Sequence, residues 1–260
     1  MWGCSMSECA KYPSLIGQLV FITGGATGIG SSMVEAFAMQ GAQVAFVDLD
    51  STAAEILASK LEVDTGRRPW FRQVDVTDTE ALQVAIEAAT EAVGPLKVLI
   101  NNAANDNRHS PDEITVQSWR DCMAINLDAA FFAAQKAAAI MSKHSGGSII
   151  NFSSNNILLG PSNMVGYVTA KTGLIGLTKS LAKDYGESKI RVNAILPGWV
   201  VTERQLHSWL TPEAEDNLIK QVALKERLMP RDVANLALFL AADDSRMITG
   251  QGFTIDAGRT

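Results

Sequence analysis

The chain has 260 residues, of which 47% are apolar and 19% charged, so it can bury a substantial core and is not a disordered protein. A net charge of −6 argues against a nucleic-acid partner, because nucleic-acid-binding proteins carry clustered lysines and arginines. No apolar run reaches the roughly 18 residues that cross a bilayer. Residues 1–11 lack the basic start and apolar block of a secretory signal, and three cysteines without a CxxC pair fit a reducing compartment. We therefore expect a soluble cytoplasmic protein with neither a nucleic-acid nor a membrane partner.

Short apolar runs rich in β-branched residues alternate with longer helical patterns along the chain. The predicted strands are apolar throughout, which is typical of strands that helices cover on both faces; they are Leu19–Thr23, Gln43–Val47, Trp70–Val74, Val98–Asn101, Ser148–Phe152, Arg191–Leu196 and Gly252–Ile255. The predicted helices are Ile29–Gln40, Thr52–Leu61, Thr79–Val93, Val116–Met141, Tyr167–Tyr185 and Asp232–Ala241. This alternation predicts an α/β fold with one doubly wound, Rossmann-type parallel sheet of about seven strands flanked by helices.

No repeat or linker divides the chain, so we expect an N-terminal tail at 1–14 and a single domain over 15–260. The least regular region is about 198–228, and Thr211-Pro212-Glu213 within it is a typical helix start. A substrate flap over a binding site would have this pattern, and so would an ordinary surface excursion. We predict the flap.

A glycine-rich turn, Thr23-Gly24-Gly25-Ala26-Thr27-Gly28-Ile29-Gly30, joins the first predicted strand to the first helix. Glycines let the backbone approach a pyrophosphate, and the helix N-terminus offers free N–H groups and a positive dipole end. Asp48 ends the second strand, where its carboxylate would bind the ribose hydroxyls of adenosine and repel a 2′-phosphate. No lysine or arginine lies within the turn or beside Asp48. The pattern therefore favours NAD over NADP, with an ordinary turn aspartate as the alternative.

Tyr167 and Lys171 form a YxxxK pair, a spacing that places both side chains on one face of a helix. A free tyrosine titrates near pH 10. A nearby ammonium and an oxidised nicotinamide would stabilise its phenolate and make it a usable base. The pair therefore predicts proton abstraction by Tyr167, supported by Lys171.

The turn and the YxxxK pair resemble the TGxxxGxG and YxxxK motifs of the short-chain dehydrogenase/reductase family, and the resemblance covers residues 15–258. It implies four catalytic residues, Asn126, Ser154, Tyr167 and Lys171. Ser154 would orient the substrate oxygen, with Ser153 as an alternative pointing to the opposite side of the strand, and Asn126 would hold a water in the proton path. The resemblance also implies a homotetramer formed through the two long helices, where Ala170, Gly173 and Gly176 would allow close contact.

Further segments match the family's cofactor site. Asp75-Val76 would contact the adenine, Asn101-Asn102-Ala103-Ala104 would line the cofactor with Ala104 in place of the usual glycine, and Pro197–Thr202 would hold the carboxamide. The full set that the resemblance implies is Gly24, Thr27, Gly28, Ile29, Gly30, Asp48, Asp75, Val76, Asn102, Ala103, Tyr167, Lys171, Pro197, Gly198, Val200 and Thr202. No metal site is expected, because the three histidines are far apart and no HExxH motif occurs.

The predicted pocket segments are polar, and such a mixture of hydrogen-bonding groups and aromatic faces suits a polyol. They are Asn105-Asp106-Asn107-Arg108-His109, Asn155-Asn156, Glu203-Arg204-Gln205 and His207, with Trp199 and Trp209 as flat apolar surfaces.

Several of these segments, with Tyr12-Pro13-Ser14-Leu15 and Ile255-Asp256-Ala257-Gly258, resemble the bacterial aldose 1-dehydrogenases. The resemblance implies oxidation of a cyclic sugar at its anomeric carbon to a lactone. It implies substrate contacts at Asn105, Ser154, Asn155, Tyr167 and Gln205, and Ala257 stands where the wider family has glycine. The alternatives are a dehydrogenase of another secondary alcohol, such as a hydroxy acid, a steroid or a 3-oxoacyl substrate, and a non-catalytic NAD sensor.

Overall fold

The computed structural model describes residues 10–208 and 211–260. Its strands are β1 Leu19–Thr23, β2 Gln43–Asp48, β3 Trp70–Gln73, β4 Leu96–Asn101, β5 Gly147–Phe152, β6 Ile190–Pro197 and β7 Gly252–Ile255. Its helices are α1 Gly28–Met39, α2 Ser51–Thr65, α3 Thr79–Val93, α4 Val116–Met123, α5 Ala129–Met141, α6 Asn156–Leu159, α7 Val165–Asp184, α8 Glu203–Ser208, α9 Pro212–Gln221 and α10 Pro230–Ala241. Each predicted strand lies within one residue of the observed bounds or inside them.

The seven strands form one sheet in the order β3-β2-β1-β4-β5-β6-β7, and every neighbouring pair is parallel. The predicted doubly wound parallel sheet is therefore confirmed. The chain moves outward from β1 to β3 and then returns to place β4 on the other side of β1. The strand order reverses between β1 and β4, and open α/β sheets bind ligands at the carboxyl ends of the strands at such a point.

Alternate side chains of β1 enter two separate cores. Val20 and Ile22 face the layer that contains α1, α2 and α10, whereas Leu19 and Phe21 face the layer that contains α3, α5 and α7. All four side chains are almost completely buried. Because successive strand residues point to opposite faces and both faces are covered, the central strands are largely apolar, whereas the edge strand β3 ends in the exposed Arg72 and Gln73.

The predicted helix Val116–Met141 is interrupted by a π turn at Ala124–Asp128, so α4 and α5 are two α-helices on one path. The N–H of Ala129 donates to the carbonyl of Ala124, five residues earlier. Such a turn accommodates one extra residue and is frequent at functional sites. The prediction of one uninterrupted helix over Val116–Met141 was therefore wrong in this detail. The apolar pattern of the sequence continues across the turn and does not reveal it.

The region at 198–228 contains α8 and α9. The predicted helix start is confirmed, since the side chain of Thr211 accepts a hydrogen bond from the N–H of Ala214 at 3.2 Å and caps α9. Whether this region moves as a flap stays a prediction. Trp209, Cys4 and Cys9 lie outside the described residues. Of the predicted N-terminal tail, residues from 10 onward are described, and a 3-10 helix begins at Pro13. Within the described ranges no helix has the length and apolar character needed to span a membrane.

Candidate active site

The glycine-rich turn between β1 and α1 brings backbone atoms close together. Gly24 and Gly28 have φ angles of +67° and +58°, which side-chain-bearing residues rarely adopt. A Cβ atom at Gly30 would lie 1.8 Å from the carbonyl oxygen of Gly24, and one at Gly24 would lie 2.9 Å from Cα of Ala103. The turn therefore requires glycine at these positions. It leaves the first N–H groups of α1 facing the crevice, where an anion is stabilised.

Hydrogen bonds attach the start of this turn to the segment that follows β4. The side chain of Asn102 donates to the carbonyls of Thr23 and Gly24 at 3.1 and 2.8 Å. In return, the hydroxyl oxygen of Thr23 accepts the N–H groups of Asn102 and Ala103 at 3.0 and 3.1 Å. Ala104, which replaces the family's glycine, does not have a positive φ angle. The alanine therefore causes no backbone strain here.

Asp48 lies at the carboxyl end of β2, next to the glycine-rich turn. Its carboxylate accepts the N–H of Ala26 at 2.8 Å and the N–H of Asp50 at 3.1 Å. Lys60 of α2 lines the same cleft, and its ammonium forms a 2.6 Å ion pair with Glu35 of α1. No motif indicates this lysine, because it lies within α2 and outside both the glycine-rich turn and the residues next to Asp48. Its partner Glu35 already supplies a negative charge.

The predicted catalytic side chains converge where β5 meets α7. The ammonium of Lys171 is buried, donates to the carbonyl of Phe152 at 2.7 Å and lies 5.6 Å from the ring centroid of Tyr167. The hydroxyl of Ser153 donates to the carbonyl of Lys171 at 2.7 Å, whereas the side chain of Ser154 interacts with the phenol of Tyr167 and lowers its pKa. Both serines line the cleft, but of the two it is Ser154 that lowers the pKa of the phenol. The assignment of Ser154 as the catalytic serine stays a prediction.

Burial controls the protonation of the YxxxK pair. Burial raises the pKa of Tyr167 to about 12; Asp106 raises this pKa as well, while Ser154 and Arg204 lower it. Burial lowers the pKa of Lys171 to about 8. The sequence predicts a lowered tyrosine pKa from an ammonium together with an oxidised nicotinamide. In the protein alone the desolvation of the phenolate is the larger effect, and the pKa moves upward.

Asn126 lies within the π turn and is 2% exposed. Its side-chain oxygen accepts the N–H of Asn105 at 3.0 Å, and its amide nitrogen donates to the carbonyls of Asn105 and Cys122, each at 3.0 Å. The side chain thus fixes the position of the segment after β4 against the helix. It lies behind the cleft and does not line it.

The predicted carboxamide segment closes the cleft on the side of β6. The N–H of Gly198 donates to the carbonyl of Ile255 at 2.8 Å, and a Cβ atom at Gly198 would lie 2.6 Å from Cβ of Asp256. Val200 is buried and forms a parallel bridge with Leu228. If Gly28 had a Cβ atom, that atom would lie 3.3 Å from the methyl group of Thr202. The segment therefore lies directly across from the glycine-rich turn.

The predicted substrate residues already have protein partners. The amide nitrogen of Asn155 donates to the carboxylate of Asp256 at 3.2 Å. Gln205 accepts the indole N–H of Trp199 at 2.7 Å and donates to Asp106 at 2.9 Å. The oxygen of the Asn105 side chain accepts the N–H of the residue two positions later at 3.0 Å. These amides are therefore held in fixed orientations at the cleft, and their contact with substrate stays a prediction.

One cleft of about 1110 Å³ connects these features, and it lies at the point where the strand order reverses. All sixteen residues predicted for the cofactor line it, as do Asn105, Ser154, Asn155 and Gln205. Two ion pairs at the cleft, Asp106–Arg204 and Glu35–Lys60, are not indicated by the sequence. Each joins segments that are distant in the chain, and no local motif indicates them. Among the described residues no group of His, Cys, Asp and Glu side chains could hold a metal ion.

Comparisons with known proteins agree with this geometry. A family profile described as enoyl-(acyl carrier protein) reductase matches residues 24–260. The "Probable galactose dehydrogenase GalD" of Rhizobium meliloti (strain 1021) is 44% identical over 96% of this chain and 97% of its own length. The D-xylose 1-dehydrogenase of Caulobacter vibrioides (strain NA1000 / CB15N) is 41% identical over 96% and 98%.

Solved structures give the same result. The short-chain dehydrogenase/reductase from Serratia marcescens BCRC 10948 has a TM-score of 0.88 and is 32% identical, covering 95% of this chain and 99% of its own. The chain therefore belongs to the short-chain dehydrogenase/reductase family, whose members are oxidoreductases that use a nicotinamide cofactor.

Proposed function

We propose that this enzyme oxidises the anomeric hydroxyl of a cyclic aldose to the lactone with NAD. The observation that carries the proposal is the polar wall beside Tyr167, where Asp106, Arg204 and Gln205 present charged and amide groups to the cleft. A polyhydroxylated substrate needs several such groups, whereas a steroid or an acyl chain would need an apolar wall. The names of the two relatives, a galactose and a D-xylose dehydrogenase, support the same substrate class.

The residues fit a dinucleotide. The side-chain-free turn at Gly24, Gly28 and Gly30 leaves room for a pyrophosphate at the N-terminus of α1. The Asp48 carboxylate has lone pairs beyond its two backbone bonds and can accept the adenosine ribose hydroxyls. Bound NAD would supply the hydride acceptor and, on its oxidised ring, a positive charge next to the phenol.

In this mechanism Tyr167 removes the proton of the anomeric hydroxyl while the hydrogen on the same carbon leaves as hydride. Ser154 orients the substrate oxygen through its hydroxyl. Lys171, whose pKa is lowered to about 8, can accept this proton from Tyr167 and pass it on toward solvent. Asn126 would support the proton path by fixing the position of Asn105, with which it exchanges two hydrogen bonds. The products are a lactone, a reduced cofactor and one proton, so atoms and electrons balance.

The preference for NAD over NADP is part of the proposal. Asp48 would repel a 2′-phosphate at the ribose, and Lys60, which also lines the cleft, is neutralised by Glu35. Replacing Asp48 with alanine is expected to weaken NAD use and to improve NADP use. The ratio of kcat/KM for the two cofactors measures this, and an unchanged ratio would contradict the assignment.

The first experiment is NADH formation by the purified protein with D-galactose, L-arabinose, D-xylose, D-glucose and L-fucose. A sterol and a hydroxyacyl thioester serve as controls. The Tyr167→Phe variant is run beside the wild type, and its NAD binding is measured separately. We expect turnover of at least one aldose, lost in the variant while NAD binding remains. Activity with a control substrate and none with any aldose would refute the sugar assignment.

We also propose a cytoplasmic homotetramer that associates through α5 and α7. Ala170 is buried inside the subunit and Gly173 packs on Leu127 of the same chain, but a Cβ atom at Gly176 would meet nothing within 4 Å. Gly176 thus leaves space for a neighbouring helix. Sedimentation of the purified protein tests this, and a monomeric mass would rule it out.

A further inference from the structure

We propose that the Asp106–Arg204 ion pair makes the substrate site selective for uncharged sugars over sugar acids and amino sugars. The inference rests on the proposed function and adds to it the charge that the substrate must have. Neither residue belongs to the predicted catalytic group. Both line the cleft next to Tyr167.

The ion pair is part of a network that fastens α8 to the segment after β4. The guanidinium of Arg204 lies 3.0 Å from one carboxylate oxygen of Asp106, and the amide of Gln205 donates to the other oxygen at 2.9 Å. Arg204 also reaches the side-chain oxygen of Asn107 at 3.3 Å, and Gln205 accepts the indole N–H of Trp199 at 2.7 Å. The carboxylate of Asp106 is therefore held in place by Gln205, and the guanidinium of Arg204 is held by Asn107.

Both charges act on the chemistry. Asp106 and Arg204 line the same cleft as Tyr167, and Asp106 raises the pKa of the phenol whereas Arg204 lowers it. A substrate whose hydroxyl reaches Tyr167 consequently lies beside the ion pair as well. Its remaining hydroxyls can donate to the carboxylate and accept from the guanidinium without a change in net charge.

A charged sugar is bound less well, because each charge of the ion pair is already neutralised by the other. A guanidinium is the group that binds a carboxylate with two parallel hydrogen bonds, but here Asp106 occupies Arg204 and repels a second anion. An ammonium group is likewise disfavoured, because Arg204 neutralises Asp106 and repels a second cation. On another wall of the cleft, Arg259 is bound to Gln221 at 2.8 Å and lies in the field of Asp256. The pair at α8 thus discriminates against both kinds of charge.

Two single substitutions, each of which leaves one charge unpaired, test the inference. Asp106→Asn is titrated with D-galacturonate, which differs from D-galactose by a carboxylate at C6. Arg204→Gln is titrated with D-galactosamine, which carries an ammonium at C2. Binding is measured by calorimetry with NADH present, so the readout does not depend on turnover. We expect affinity for the charged sugar to rise about threefold to tenfold in the matching variant only, because the pair is partly exposed to solvent.

Controls separate this inference from the proposed function. Glu87→Gln breaks the surface ion pair with Lys136 and should leave binding of both charged sugars unchanged. If the wild type oxidises no aldose, the proposed function fails, but the two titrations still report on the ion pair. If neither matching variant binds its charged sugar more tightly than the wild type, the inference is wrong. If one variant does not fold, the other decides the question.

Discussion

Lys171→Met is expected to stabilise the protein while it abolishes turnover. The ammonium is buried, and its pKa is lowered from 10.5 to about 8. That difference corresponds to about 3 kcal/mol of folding free energy lost at pH 6, where the buried lysine is charged. Methionine has a similar length and no charge. It leaves the carbonyl of Phe152 without its donor, which costs about 1–3 kcal/mol. We therefore expect a net gain of about 1 kcal/mol at pH 6.

The dependence on pH gives the sharper test. The unfolded chain holds the lysine proton up to a higher pH than the folded protein does. The stability of the wild type therefore rises with pH between about 8 and 10.5. The variant lacks this contribution. Its advantage over the wild type is expected to shrink by about 2 kcal/mol between pH 6 and pH 9.5. Staying below pH 10 avoids the opposite effect of Tyr167, whose raised pKa lowers stability only above that pH.

Urea unfolding of both proteins at pH 6 and pH 9.5 measures this difference, provided that the m-values agree. The matched control is Lys179→Met on the exposed side of the same helix, which should change stability by less than about 0.5 kcal/mol at either pH. A difference between wild type and Lys171→Met that is the same at both pH values would refute the reasoning. Turnover of the variant should fall at least about a hundredfold, the usual contribution of a proton-transfer group.

Three further predictions concern substitutions in the glycine-rich turn, at a strained alanine and at the two serines of the cleft. Gly30→Ala should prevent NADH binding in a fluorescence titration, because its Cβ atom would overlap the carbonyl oxygen of Gly24; normal affinity would contradict the geometry of the turn. Ala257→Gly should stabilise the protein by about 0.5–1 kcal/mol in urea unfolding, since Ala257 has a φ angle of +56°; a loss of stability would show that the strain is absent. Ser154→Ala should lose turnover about a hundredfold, whereas Ser153→Ala should keep it, and equal losses would mean that the serines are wrongly assigned.

The fold was largely predictable because its signals are local. A strand covered on both faces is mostly apolar, and seven short runs rich in apolar residues coincide with the seven strands. The glycine-rich turn and the YxxxK pair are equally local, since each lies within nine residues of sequence. The π turn at Ala124–Asp128 was not predictable in this way. A single register change in a helix leaves the apolar pattern nearly intact.

The wall of the site that faces the substrate depends on contacts between distant segments. Asp106 and Gln205 are 99 residues apart in the chain and 2.9 Å apart in space. The sequence indicates that these segments are polar, but it does not show which groups are paired. The resemblance implies substrate contacts at Asn155 and Gln205 without indicating their protein partners. In the structure they are bonded to Asp256, Trp199 and Asp106.

This difference has a consequence for how the enzyme would select its substrate. An amide held by a protein partner presents only its remaining hydrogen-bonding positions to a sugar. The carboxylate of Asp256 accepts and does not donate, so it fixes the nitrogen of Asn155 toward itself. The oxygen of that amide is then turned away from Asp256 as an acceptor. Local motifs thus supply the hydride and proton chemistry that the family shares. We expect long-range bonds of this kind to determine which hydroxyl arrangement the cleft accepts.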